Sequence, residues 1–364
     1  MEKIKQYQKL MKKCLSLAKK GEGKTSPNPL VGCVIFDDDF KIISTGYHKR
    51  YGDFHAERNA ILNSKASLKG KNLIVNLEPC CHYGKTPPCT DIIIEKKIKK
   101  VIIGMKDVNP IVSGKGIKQL KKAGIEVVEG ILEDDCRKLN EVFIKNQTEQ
   151  KPFITIKSAA TLDGKISTKT NSSKWITGEK SRKEVMKLRN CYDAVLTSSN
   201  TVIADNPSLT ARIRGGKNPV RIVLDSNLRT NPKSKIYFND GVKVFLFTLK
   251  KDNGKYPENV CVKTVSDKDG KPNLNDVVSV LWKEGIKSIL IEAGGTLNGA
   301  FIRQNLADKL ILFLAPKILG DKKAKNFIEG FNIKDINDSK ILDIVNIKQF
   351  SPDIMIEMLV KKRI

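Results

Sequence analysis

Apolar positions in the first twenty residues recur in steps of three and four: Ile4, Tyr7, Leu10, Met11, Cys14, Leu15 and Ala18. That spacing lays them on one face of a helix over residues 2–20, and GEGKTSPNP then breaks the pattern with glycine and proline. Downstream, continuous apolar runs replace the helical period. LVGCVIF, NLIVNL and KVIIGM read as strands buried on both faces, and residues 42–47 as the hairpin partner of the first. His55 to Leu62, TDIIIEKKI and GIKQLKKAG read as helices, IEVVEG as a further strand and EDDCRKLNEVFIK as one closing helix. The order β–α–β–α–β–α–β predicts an α/β domain whose sheet is covered on both faces.

NQTEQKP, residues 146–152, is polar and ends in proline, which makes it a domain boundary. The division predicted is 1–147 and 148–364, and 364 residues suffice for two cores. Beyond it PFITIKSA, AVLTSS, PVRIVLDS, VKVFLFT, IKSILIEA and DKLILFLAP read as strands. SRKEVMKLR and NDVVSVLWKEG read as helices between them, so a second α/β pattern follows the first. Residues 251–275 are polar, with weak strand content, and no repeat or coiled coil is present.

The net charge of +26, from 66 basic and 40 acidic residues, raises the question of nucleic acid. Lysine is spread over the whole chain, however, and aromatics are only 6% of it, too few for stacking platforms. A dedicated nucleic-acid surface is therefore not expected, and the charge suits phosphorylated small molecules instead. No run is long and apolar enough for a membrane span or a signal segment. Eight cysteines in a chain of this length do not make a disulfide scaffold and fit a reducing, cytoplasmic location.

Two stretches carry chemistry. HAERNA supplies His55 and Glu57, and PCCHYGKTPPC supplies Cys80 and Cys89. One imidazole and two thiolates suit zinc, and three protein ligands leave a fourth position for water, whose pKa falls there. Glu57 is the candidate to shuttle the proton, although residues i and i+2 diverge on an ideal helix, so it needs a helix-start geometry. The pattern H-x-E followed by P-C is that of zinc deaminases, here with Cys80 and Cys89 nine apart. Cys81 or His82 as a fourth ligand would make the site structural, and Cys81 also competes with Cys80 as ligand. His82 reads as a substrate contact or a loop histidine, His48 as a site neighbour or an exposed loop residue, and Lys85 as a phosphate contact. Asn28, between two prolines, reads as a substrate-facing amide or a plain turn residue.

SPNPLVGCVI, GYHKRYGDFHAERNA, LEPCCHYGKTPPC and DVNPIVSGKGI together resemble the deaminase half of the bifunctional deaminase/reductase family of riboflavin biosynthesis. KSAATLDGKIS, WIT, LTSSNTVIADNPSLTAR, VLDS, IEAGGTLNGAF and LAPKILG resemble its reductase half, so the likeness spans nearly the whole chain. It implies a cytidine-deaminase-like three-layer α/β/α domain followed by a dihydrofolate-reductase-like α/β domain. The implied reactions are zinc-dependent loss of the 2-amino group of 2,5-diamino-6-(5-phosphoribosylamino)pyrimidin-4(3H)-one, then NADPH-dependent reduction of the ribosyl group to ribityl. The family also implies a homo-oligomer.

The residues bear on the second reaction in part. No Rossmann fingerprint is present, since SGKGIKQL has only Gly114 and Gly116. LIEAGGTLNGAFI instead runs a buried strand into a glycine turn and a helix start, where backbone amides approach phosphate. By resemblance the nucleotide contacts are Ala159, Trp175, Thr201, Asp205, Ser226 and the loop Gly294, Gly295, Thr296, Leu297, Asn298, Gly299 and Ala300. The substrate contacts are Ser173, Arg189, Leu209, Arg212 and Glu292 in this domain, with Asn28 and His82 in the first. Arg189 and Arg212 suit phosphate forks, against a surface role for Arg189. Asp205 could instead cap the NPSL turn, Trp175 could be core, and Lys157 stands near the expected substrate site.

Overall fold

The computed structural model describes residues 2–84, 87–252 and 254–361, so Lys85 lies outside the described residues. The chain divides into two compact units, Met1–Gln150 and Lys151–Ile364.

Unit 1 runs α1 (Glu2–Ala18), β1 (Gly32–Phe36), β2 (Ile42–Tyr47), α2 (Ala56–Leu62), β3 (Asn72–Leu77) and α3 (Cys89–Glu95). It continues through β4 (Lys100–Met105), α4 (Lys115–Lys122), β5 (Glu126–Val128), α5 (Glu133–Leu139) and α6 (Glu141–Glu149). The sheet order is β2-β1-β3-β4-β5, with β1 antiparallel to both neighbours and β3, β4 and β5 parallel. Every residue of β1 and β3 is buried, as their unbroken apolar runs require. α1 and α5 pack on β3, while α2 packs on β1 and β2 with α3 beside it, which makes three layers.

The closing helix read from EDDCRKLNEVFIK is two helices broken at Asn140. The side chain of Asn140 is needed elsewhere: its Oδ1 accepts from Leu30 N at 2.8 Å and its Nδ2 donates to Leu30 O at 3.1 Å. The second helix then continues to Glu149, through the first half of the polar segment read as a boundary.

α2 carries the first half of the candidate metal site and is locked onto β2. Asn59 and Asn63, four apart on one helix face, donate to Tyr47 O and Thr45 O at 2.9 Å each. Gly46 of β2 lets the helix backbone approach closely.

Unit 2 contains β6 (Phe153–Thr161), β7 (Lys165–Ser167), α7 (Glu179–Cys191), β8 (Ala194–Ser198), α8 (Ser199–Asp205), β9 (Val220–Leu224), β10 (Val244–Thr248) and β11 (Val260–Thr264). The small strands β12 (Asp267–Lys268) and β13 (Lys271–Pro272) form a hairpin in the polar stretch around residue 270. There follow α9 (Leu274–Lys283), β14 (Ser288–Ile291), α10 (Gly295–Arg303), β15 (Lys309–Ala315), β16 (Lys325–Asn326), β17 (Leu342–Phe350) and β18 (Asp353–Val360). The main sheet has the order β11-β10-β9-β8-β14-β6-β15-β18-β17, parallel as far as β15. The antiparallel β17–β18 hairpin completes it and is absent from the sequence reading. β17 is an edge strand with most residues exposed, so it lacks the burial pattern that reveals a strand. Apolar clusters cover the sheet on both faces, and no helix among the described residues is long and apolar enough to cross a membrane.

Gly46→Ala places a methyl 2.3 Å from Ala60 N and 2.4 Å from Ala56 O, both of them backbone atoms. The helix must shift, at a cost of about 1–3 kcal/mol. The expected result is a lower urea midpoint with an unchanged slope, measured by circular dichroism.

Candidate active sites

In unit 1 the requirement for a helix-start geometry is met. His55 is the N-cap of α2, with extended backbone (φ −70°, ψ 167°), and Glu57 lies in the first turn. The divergence expected inside a helix therefore does not apply. Cys89 opens α3, and Cys80 folds back onto that helix start despite the nine-residue spacing. Thr90 N donates to Cys80 O at 3.2 Å, and Cys89 N donates to Cys80 Sγ at 3.3 Å. The two sulfurs lie 3.4 and 3.5 Å from His55 Nδ1, and all three atoms fall within 4.8 Å of one another. The Cys89 thiol and the His55 ring both favour the Cys80 thiolate, which lowers its pKa, while Cys89 keeps its proton more tightly.

The donor set fits zinc: a compact N and S cluster, with a carboxylate beside it. Burial, and then the nearby Cys80, push the Glu57 carboxyl up to about 7. Its Oε2 is buried without a hydrogen-bond partner among the described residues, a costly arrangement unless a bound group completes it.

The supporting groups are less visible in sequence. His48 is buried rather than an exposed loop residue, and its ring lies edge-on to His55 at 5.4 Å. Its Nδ1 is 3.1 Å from Phe54 O, which can only accept, so Nδ1 carries the proton. Nε2 is then the acceptor for Asn28 Nδ2 at 3.1 Å, which fixes the Asn28 amide and leaves Oδ1 as its presenting end. Glu78, just before Pro79, ties three segments together. Its Oε2 accepts from Asp107 N and Gly114 N, and its Oε1 from Ile117 N, at 2.9–3.1 Å. Cys81 and His82 are half-buried and stand outside the three-atom cluster, and His82 Nδ1 is buried without a partner among the described residues.

Unit 2 holds a cleft of about 1180 Å³ at the carboxyl ends of its parallel strands, the usual place for ligands in such sheets. Ala159, Ser173, Trp175, Arg189, Thr201, Asp205, Leu209, Arg212, Ser226, Glu292, Gly294, Gly295, Thr296, Leu297 and Ala300 all line it. Asn298 and Gly299 do not. Asn298 is buried and donates to Phe327 O at 2.8 Å. A Cβ on Gly299 would lie 1.9 Å from Glu329 O, and one on Gly295 would lie 2.3 Å from Asn326 O. These two glycines thus seat the 326–329 segment against α10, whose start at Gly294 opens to the cleft. The cleft is lined by nine basic and four acidic residues, which fits anionic ligands. The residues therefore fit NADPH: a helix start to face its pyrophosphate, and space above Gly294 that no protein atom fills.

Arg189 is a buried residue, not a solvated one, and its fork is engaged. Nε and Nη2 donate to Glu292 at 2.6 and 3.0 Å, and Lys157 Nζ reaches the same carboxylate at 2.7 Å. Burial opposes charge on Glu292, but Arg189 and Lys157 outweigh it and hold the carboxyl well below the usual range. Trp175 is 62% exposed, with the Arg182 guanidinium 4.5 Å above its ring, so it is not a core residue. Leu209 and Arg212 both have left-handed backbone, at φ 51° and 53°. Such residues are costly and cluster where a loop is held for a purpose. Of the basic lining residues, Arg182, Arg229, Lys268, Lys271, Arg303 and Lys325 escape the sequence reading. In so lysine-rich a chain, single cations carry little signal.

Residues 152–356 match the family model of the RibD C-terminal domain, and residues 4–105 match that of the cytidine and deoxycytidylate deaminase zinc-binding region. The chain is 40% identical over 355 residues to riboflavin biosynthesis protein RibD of Actinobacillus pleuropneumoniae, covering 96% of this chain and 94% of that one. Among solved structures it resembles a diaminohydroxyphosphoribosylaminopyrimidine deaminase/5-amino-6-(5-phosphoribosylamino)uracil reductase from Thermotoga maritima, with 38% identity and a TM-score of 0.89. That match covers 98% of this chain and 99% of the other. Acinetobacter baumannii RibD, form 1, gives 34% identity and a TM-score of 0.88, covering 99% and 100%.

The Glu292 cluster gives unit 2 an acid-sensitive stability. A carboxylate whose folded pKa is depressed contributes stability that is present above its unfolded pKa, about 4.3, and lost as pH falls toward the folded value. The unit 2 melting temperature should fall below about pH 5, and the Glu292→Gln variant should show a flatter acid limb. Near neutral pH the same variant melts lower than the parent, because Arg189 and Lys157 lose their partner. Calorimetry from pH 3 to 7 reads both effects.

Proposed function

This chain belongs to the RibD family of bifunctional riboflavin-biosynthesis enzymes, and from that membership we propose how its two units divide the work. Residues 1–147 carry out the deamination and residues 148–364 the reduction.

In the first unit His55, Cys80 and Cys89 hold zinc, which supplies the Lewis acidity that lets water act as a nucleophile near neutral pH. Glu57 takes one proton of that water and passes it to a ring nitrogen as the C–O bond forms, then moves the proton of the new hydroxyl to the 2-amino group, so that the C–N bond breaks to leave a carbonyl and ammonia. The Glu57 carboxyl, raised to about 7 by its burial, suits both accepting and returning a proton near neutrality. Asn28, oriented by His48, presents its Oδ1 to the pyrimidine ring, and His82 borders the same substrate. The observation that carries this assignment is the partnerless Glu57 Oε2 beside two cysteine sulfurs and an imidazole nitrogen.

In the second unit NADPH supplies the hydride. Gly294, Gly295, Thr296, Leu297 and Ala300 form the cofactor turn, with Ala159, Trp175, Thr201, Asp205 and Ser226 along the cleft. Asn298 and Gly299 support that turn from behind through the 326–329 segment. Ser173, Leu209, Arg212 and the Arg189–Glu292 pair receive the ribotide. The excess of basic residues in the cleft supports a phosphorylated substrate. Small-molecule substrates rather than nucleic acid, a cytoplasmic location and a homo-oligomer complete the proposal. Support for the location comes from eight free cysteines, and for the oligomer from family resemblance.

One coupled assay tests the division. Zinc-loaded protein given the diaminopyrimidine ribotide should release ammonia, then oxidise one NADPH per deaminated product. Glu57→Gln should keep its zinc yet lose ammonia release by about 10²-fold or more, and adding the deaminated intermediate should restore NADPH oxidation. Cys89→Ser should lower the zinc content, measured by atomic absorption. Ammonia without NADPH oxidation, even with intermediate supplied, would refute the role of the second unit.

A further inference from the structure

We infer that Arg229 selects NADPH over NADH by receiving the 2′-phosphate of the cofactor's adenosine ribose, an inference that rests on the cleft of unit 2 being the NADPH site. Arg229 lines that cleft from the loop that leaves the carboxyl end of β9. The loop is held from behind. Asp225 Oδ2 accepts from both Thr230 N and Thr230 Oγ1 at 2.8 Å, and Leu249 N donates to Ser226 O at 3.1 Å. Leu228, next to Arg229, has left-handed backbone at φ 53°, a conformation that a leucine keeps only where its surroundings over-determine it. Ser226 and Arg229 are thereby presented to the cleft on a fixed loop.

The partners of Arg229 are neutral. Nη2 donates to Ser199 Oγ at 3.0 Å and to Asn200 Oδ1 at 2.8 Å. No carboxylate pairs with it among the described residues, and its Nε and Nη1 donors are left for a ligand. A guanidinium held in place with its charge uncompensated and half its fork free suits a phosphate monoester.

Two phosphate monoesters enter this cleft, one on the ribotide and one on the cofactor, besides the pyrophosphate that faces the start of α10. The other arginines are placed elsewhere. Arg189, which pairs with Glu292, also donates from Nη1 to Thr210 O at 3.1 Å, two residues before Arg212, which puts Arg212 at the ribotide end. Arg182 lies over Trp175, and Arg303 is taken up by the carbonyls of Glu329 and Gly330. Arg229 stands off β9, which lies two strands from β14 on the side away from β6, about 10 Å across the sheet. Lys157, the partner of Glu292, is on β6. A cofactor whose pyrophosphate faces α10 and whose nicotinamide turns toward Glu292 therefore extends its adenosine half toward Arg229.

The test uses the full-length chain and the variants R229Q and R229K. Isothermal titration compares 2′,5′-ADP with 5′-AMP, two fragments that differ only in the 2′-phosphate. The parent should bind 2′,5′-ADP more tightly. R229Q should lose roughly 10- to 100-fold of that affinity, the range for a charge-assisted hydrogen bond, while 5′-AMP binding stays level. R229K should fall between the two, and the ribotide KM at saturating NADPH should not move. If R229Q melts early, R229K is decisive: it should weaken 2′,5′-ADP and spare 5′-AMP. An unchanged ratio of the two nucleotides in these variants would overturn the inference. A raised ribotide KM with intact 2′,5′-ADP binding would also overturn it and assign Arg229 to the substrate's phosphate. A parent protein that binds neither nucleotide would instead remove the NADPH reading of the cleft, and the inference with it.

Discussion

Taking a carboxylate out of water is expensive unless something replaces the water, and three buried glutamates organise both units through that constraint. Glu78 is satisfied by three backbone N–H groups, and in accepting them it binds the end of β3 to the segment after β4 and to the start of α4. Glu292 is satisfied by Arg189 and Lys157, and so ties the exit of β14 to α7 and β6. Glu57 has one oxygen satisfied by nothing among the described residues. The first two hold scaffold in place. The third leaves a requirement that a ligand can meet, and it is the one set beside the thiolate and imidazole cluster.

The same logic orders the charges of unit 2. A parallel sheet brings its strand exits to one edge, so loops far apart in sequence meet there. β6, β8, β9 and β14 each deliver a polar or charged residue to one cleft. Where a cation must be buried it receives a carboxylate, as Arg189 does. Where it stands open to the cleft, as Arg212 does, it has no hydrogen-bond partner among the described residues, and its left-handed backbone holds it there. Local strain and uncompensated charge coincide on the ligand side, while the apolar clusters on the two sheet faces carry the stability.

The elements that were legible in the sequence are those whose burial leaves a pattern. NLIVNL and KVIIGM read as strands from their unbroken apolar runs, and His55, Glu57, Cys80 and Cys89 stand out because H-x-E and P-C occur in one strand–turn–helix context. The three-layer first domain and the α/β second domain followed, and the domain families agree with them. What escaped has physical reasons. β17 is exposed and shows no alternation. The break at Asn140 answers to Leu30, 110 positions away, which no local window contains. Glu78 and His48 act through partners fixed by the fold rather than by spacing. The sequence presents residues 294–300 as one cofactor loop, yet the helix turns Asn298 and Gly299 away from the cleft.

Gly295 and Gly299 also limit how this chain can diverge. Two glycines four apart accept the backbone of residues 326–329 where side chains would otherwise stand. Neither position can gain even a methyl group without displacing main chain, so single-step substitution there is closed. Thr296, Leu297 and Ala300 line the cleft on the same helix, but Leu297 and Ala300 also pack against the core of unit 2, and only Thr296 is exposed. Variation, whether natural or in a designed library, therefore has one open position at Thr296 and a frozen pair at Gly295 and Gly299 on the same two turns of helix.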